Sequence, residues 1–179
     1  MALAAGQMGI YTREDLILGI DPGYAIMGYG IIEKDGNRHS VVDYGVITTD
    51  KDTPMPDRLK ILYNGLMDVI AEYQPEEAAV EQLYFNTNQT TGIFVGQARG
   101  VAILACANNG LGIYEYTPLQ IKTAITGYGR AEKKQMQNMV RMYLGLEEIP
   151  KPDDAADALA AALCHGRHNA ASKRSFIMK

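Results

Sequence analysis

The apolar pattern opens with Leu16, Ile17, Leu18 and Ile20, a nearly continuous run broken by Gly19 and closed by Asp21. With Pro22-Gly23 behind it, this predicts a buried strand that delivers one carboxylate to its own end and then turns tightly. A glycine-punctuated apolar strand returns through Ile32, and His39–Thr49 (HSVVDYGVITT) reads as a third, so short turns join an antiparallel meander. After a polar loop over 50–56, Asp57–Tyr73 carries Leu59, Ile61, Leu62, Leu66, Val69 and Ile70 at helical spacing and stops at Gln74-Pro75. Ala78–Glu81 is a second short buried strand ending in a carboxylate. A polar loop over Gln82–Thr91 leads to an apolar helix, Gly92–Asn108, and Gly112–Tyr116 is a fifth strand. Thr117-Pro118 is a helix start, with Thr as N-cap and Pro at N1, and helices are expected over Pro118–Thr126, Ala131–Leu144 and Asp153–His168. The order predicts an α/β fold, a five-stranded mixed sheet with helices on both faces.

At 179 residues the chain is one domain, expected over 16–168. Residues 1–15 lack the basic and apolar regions of a signal peptide, Met8 offers an alternative start, and the stretch is set aside as an extension outside the fold. Residues 169–179 read as a flexible basic tail. No apolar run reaches membrane-spanning length, and Cys106 and Cys164 read as buried free thiols, which together point to the cytoplasm. The net charge of −4 argues against a non-specific nucleic-acid binder, but it hides a division. Residues 1–117 hold seven Lys/Arg against fifteen Asp/Glu, a balance of −8, and residues 118–179 hold ten against six, a balance of +4. A basic C-terminal third can present a phosphate-binding face, and equally a set of solvated helix surfaces.

Three acidic features stand out. Asp21 and Glu81 each end a buried strand, and KPDDAAD opens a helix on which Asp154 and Asp157, three apart, share a face. Taken singly, each has a plain explanation: Asp21 caps an Asp-Pro-Gly turn, and first-turn aspartates cap helix amides, the role assigned to Asp153. Taken together, converging carboxylates repel one another unless cations neutralise them, and an all-oxygen donor set suits hard ions such as Mg²⁺ or Mn²⁺. So many carboxylates suffice for two ions about 3.5–4 Å apart, the spacing used for displacement at phosphorus. Glycine beside Asp21 is expected to leave room for a ligand.

The element order resembles ribonuclease H-like folds. ILGIDPGYAIMGYGII, AAVEQLYFNTN, GQARGVAILA, YTPLQIKTAITGYGRAEKKQMQNMV and DDAADALAAALCH closely resemble successive motifs of the RuvC family, the bacterial Holliday junction resolvases or crossover junction endodeoxyribonucleases, from about Leu16 to His165. The resemblance implies a structure-selective endonuclease that resolves four-way DNA junctions by paired symmetric nicks, leaving 5′ phosphate and 3′ hydroxyl, in recombination and repair. It implies Asp21, Glu81, Asp154 and Asp157 as metal-binding catalytic acids, with two Mg²⁺ per site and Mn²⁺ as a substitute. Some relatives carry His at the position matching Asp154. Lys122 and Lys133 match positions where the family has basic residues near the active site; without the resemblance they read as solvated helix lysines. Arg130, Lys134 and Arg141 are weaker candidates for backbone contact. Tyr84 falls where the family places an aromatic that stacks on bases of the opened junction, with Phe85 in reserve; a tyrosine anchoring its loop to the core is the plain alternative. The family also implies a homodimer and a RuvAB branch-migration complex as partner. Gly96 and Gly100 suit either a dimer contact or tight packing of their helix on the sheet, the latter favoured by spacing alone.

Three other readings compete. Phosphotransferases of the actin and sugar-kinase type share an Asp-x-Gly turn but need two such domains. A non-catalytic junction binder has no need of four acids, and a ribonuclease H-like enzyme acting on RNA or hybrid differs only in substrate.

Overall fold

The computed structural model describes residues 15–83 and 89–178, with side chains of 89–91 left aside. Five strands, β1 (Leu16–Asp21), β2 (Ile26–Asp35), β3 (Arg38–Thr48), β4 (Glu77–Glu81) and β5 (Gly112–Tyr116), form one sheet in the order β3-β2-β1-β4-β5. The first three pair antiparallel, whereas β4 and β5 join in parallel, giving the mixed sheet expected. Helices α1 (Met55–Tyr73) and α2 (Gln89–Asn108) cover one face; α3 (Pro118–Thr126), α4 (Lys133–Tyr143) and α5 (Asp153–Gly166) cover the other. A last turn, α6, spans Ala170–Lys173. Among the described residues no helix is long and apolar enough to cross a membrane.

Strand alternation sorts the central residues between two cores. Leu16, Leu18, Ile20, Ala78 and Val80 face α1 and α2, while Ile17 and Ala79 face α5. Asp21 therefore shares the α5 side with Ile17 and Gly19, and Glu77 and Glu81 share it with Ala79. Helix ends follow the local code. Thr117 and Gln120 form a reciprocal capping box at α3, Gly127 closes it at φ 72°, and Gln74 takes the left-handed conformation at φ 52° to end α1.

Helix α5 lies against backbone. A Cβ on Gly19 would stand 2.0 Å from the Ala158 carbonyl oxygen, and one on Gly28 would stand 2.0 Å from that of Asp154. One on Gly30 would meet the Leu159 side chain at 2.7 Å. Gly19 makes room for a helix rather than for a ligand, which corrects the expectation drawn from its place beside Asp21. Gly96 and Gly100 differ in the opposite sense: among the described residues nothing lies within 4 Å of a Cβ built on either, so they do not serve tight packing on the sheet.

The expected frayed tail is instead docked. The Glu115 amide donates to the Phe176 carbonyl and the Met178 amide to that of Ile113, both at 2.9 Å, and Tyr114 pairs with Ile177 across an antiparallel bridge. Phe176 packs on Tyr116 at 4.7 Å between ring centres, and the Lys173 ammonium meets Glu77. Alternating apolar residues in this segment are few, so periodicity gave no warning.

Gly19→Ala is expected to force α5 off the sheet and to cost about 1–3 kcal/mol or more, read as a lowered midpoint in urea unfolding. An unchanged midpoint would mean that the helix has slack there.

Candidate active site

β1 and β4 run in parallel with Ile20 opposite Val80, so Asp21 and Glu81 follow as the next residues of adjacent strands, on one face. On the other flank Asp21 stands opposite Gly28, which carries the backbone of Asp154. Helix α5 thus begins over the carboxyl ends of the strands. Its Asp154 and Asp157 reach the same neighbourhood: both add to the negative field at Asp21, and Asp157 adds to that at Glu81.

The electrostatic consequence is large. Burial, then the charges of Glu81, Asp157 and Asp154, push the Asp21 carboxyl up to about 8. Burial and Asp157 push Glu81 up to about 7. Burial also raises Asp157, with Lys133 acting against it. Four half-buried or partly exposed acids held in mutual repulsion are chemically suited to multivalent cations, and the donor set is all oxygen. Among the described residues, no three of His, Cys, Asp and Glu are already posed as a group that could hold a metal ion. The carboxylates converge as a cluster rather than a finished cage.

The expected basic residues separate. Lys133 lies 3.0 Å from Asp153 and 3.4 Å from Asp157, and Lys122 is close enough to lower Glu81. Arg130 and Lys134 are exposed at the start of α4, and Arg141 at its far end donates to the Glu147 carbonyl. Tyr84 and Phe85 lie outside the described residues. Asp153 is not the cap it was expected to be. Pro152 occupies the N-cap position, no side chain caps α5, and the Asp153 carboxylate accepts instead from Lys133 and from Gln137 Nε2 at 2.8 Å. A proline ahead of a first-turn aspartate already signalled that the aspartate sits one position inside the cap.

Sequence reading also missed Glu77 and His165. His165, fully buried near the end of α5, bonds the Tyr116 hydroxyl through Nδ1 at 2.7 Å and Glu77 Oε2 through Nε2 at 2.9 Å. Burial would raise Glu77, but His165 and Lys173 outweigh it and hold the carboxyl down to about 2. Period two from Glu81 back to Glu77 would have placed this acid on the α5 face.

A mixed sheet of this order, with acids gathered at the ends of β1, β4 and the start of α5, defines a ribonuclease H-like fold. The sequence matches the family described as Crossover junction endodeoxyribonuclease RuvC over residues 17–165. It is 64% identical over 150 residues to the crossover junction endodeoxyribonuclease RuvC of Desulfitobacterium hafniense, covering 84% of this chain and 91% of that one. The structure of RuvC from Thermus thermophilus superposes with a TM-score of 0.82 at 32% identity, covering 88% of this chain and 97% of that one. The same protein in complex with a Holliday junction substrate gives 0.78 at 31%, covering 85% and 93%. The chain belongs to the RuvC family of crossover junction endodeoxyribonucleases, and is a nuclease.

A raised carboxyl binds its proton more tightly folded than unfolded, so the stability it contributes is complete below the unfolded value near 4 and is lost as pH rises through about 8. Asp21→Asn is therefore expected to melt higher than wild type at pH 8 in chelator, by roughly 4–8 °C if about 2 kcal/mol is recovered, with the gap closing towards pH 4. Equal melting of the two proteins at pH 8 would show that burial among acids imposes no such cost on the Asp21 charge.

Proposed function

We propose that the chain resolves four-way DNA junctions by paired symmetric nicks, with Asp21, Glu81, Asp154 and Asp157 as its metal-binding catalytic acids. The single observation behind this reading is the convergence of Asp21, Glu81, Asp154 and Asp157, from three separate elements, into one repelling cluster. Mg²⁺ is the proposed ion, two per site, with Mn²⁺ able to replace it. Bound divalent cations supply Lewis-acid activation of water and neutralise charge on the leaving oxygen. Asp21, flanked by acids from both β4 and α5, would be the ligand held in common, with Glu81 holding on one side and Asp154 with Asp157 on the other. Hydrolysis adds water across the P–O3′ bond, leaving 5′ phosphate and 3′ hydroxyl that a ligase can rejoin.

The chain's basic residues then have distinct tasks. Lys122 and Lys133, beside the acids, neutralise phosphate oxygens next to the cut, while Arg130 and Lys134 hold the backbone further out. Tyr84 is proposed to stack on a base of the opened junction, worth about 1–3 kcal/mol.

Two nicks on opposed strands call for two sites related by a two-fold axis, hence a homodimer. The exposed side of α2 supports this: Ile93 and Leu104 are 59% and 52% exposed and flank Gly96 and Gly100, where a partner's backbone can approach closely. A bacterial cytoplasmic setting and a RuvAB branch-migration complex as partner are proposed on family membership alone.

Asp21→Asn and Glu81→Gln should each abolish cleavage of a synthetic four-way junction in Mg²⁺ while keeping its binding within a few-fold by mobility shift. Wild-type cutting by either variant would remove the assignment, and equal cutting of linear duplex or RNA–DNA hybrid would remove the substrate. Lys122→Ala should lower the cleavage rate more than junction affinity. Light scattering of wild type should give twice the monomer mass, and Leu104→Glu should halve it.

A further inference from the structure

Lys133 stands where a cation belongs. It is the first residue of α4, a position at which the helix dipole disfavours positive charge, so its seat is set by the acids it meets. Its ammonium is divided between Asp157, one of the cluster, and Asp153, which points away towards α4. Asp153 is itself steadied by Gln137, one turn beyond Lys133 on the same face of α4. Among the described residues, Lys133 is the cation that lowers Asp21, Glu81 and Asp157 alike, whereas Lys122 acts on Glu81. Its side chain is 54% exposed, so it can move without unpacking anything.

We propose that Lys133 is a tethered counter-ion competing with divalent cation for Asp157, and that Asp153 is a positioning residue that receives the ammonium when the cation binds. Asp153 thereby sets cation affinity without being a ligand. The two seats are adjacent, so the handover needs a small rotation of the lysine end, with Asp153 keeping one ion pair intact throughout. Lys133 is then left beside the site, free to turn to a phosphate oxygen. Without Asp153 the ammonium has no second carboxylate and rests wholly on Asp157, in direct opposition to the incoming ion.

This rests on the four-carboxylate reading above, and the test separates the two. Mn²⁺ binding to the DNA-free full-length chain would be titrated by electron paramagnetic resonance for wild type, Lys133→Gln, Asp153→Asn, their double variant, Lys133→Arg and Asp21→Asn. Lys133→Gln should tighten Mn²⁺ roughly fivefold and Lys133→Arg should restore wild-type affinity. Asp153→Asn should weaken it about threefold in wild type but by less than about 1.5-fold in the Lys133→Gln background, because an exposed charge without its ion pair is screened. Unchanged affinity in Lys133→Gln, or equal weakening by Asp153→Asn in both backgrounds, overturns the handover. Undiminished Mn²⁺ binding by Asp21→Asn overturns the metal-site reading instead. Both substituted side chains are exposed, and circular dichroism melts confirm folding; should a variant melt early, lysine side-chain NMR of wild type decides, since Mg²⁺ should shift the Lys133 ε-methylene signal, and an unmoved signal overturns the handover.

Discussion

The structure depends on how closely one helix can approach two strands. Glycines at 19, 28 and 30 strip the side chains from the centre of β1 and β2, and α5 settles with its own backbone and small residues against that strip. Ala155, Ala158, Ala161 and Ala162 are fully buried there, so the interface is made of peptide and methyl groups with little capacity to yield. The intimacy fixes both the height and the axial position of α5. It is the reason two aspartates from the last third of the chain stand beside a carboxylate near its beginning.

The acids that result are held against their own preference. Nothing apolar is gained by gathering them, and burial, with their shared field added to it, raises Asp21 and Glu81 far above the ordinary carboxylate range. The fold absorbs this through its two cores and through the opposite end of the same elements. Glu77 and His165 tie β4 to α5 at their far ends, where the carboxylate is stabilised rather than strained. A strand of five residues spans about 15 Å, so one short rod carries a favourable acid at one end and an unfavourable one at the other.

Much of this was legible in the residues. The two strand-end acids, the meander, the capped start of α3 and the paired aspartates of α5 each carry a local signal: a buried run, a turn, a capping box, a spacing of three. Relations between distant segments were harder to read. Gly19 looked like space for a ligand because its true neighbour, Ala158, is far along the chain. Asp153 looked like a cap because its partners, Lys133 and Gln137, belong to another helix. Glu77 carries no local signal because the apolar run of its strand starts only at Ala78, and the tail carries none because its docking uses backbone bonds that leave no pattern in side chains. Tyr84 and Phe85 lie outside the described residues.

The docked tail has a consequence for how copies of the chain can meet. Its backbone bonds to Ile113 and Glu115 fill the rim of the sheet beyond β5, so a neighbouring molecule cannot lengthen the sheet from that side. On that side association is left to helical surfaces, where contact is made through side chains and geometry can vary without bending a strand. Residues 176–178 thus cover the outer side of β5 from within the same molecule, leaving the parallel half of the sheet closed at its margin.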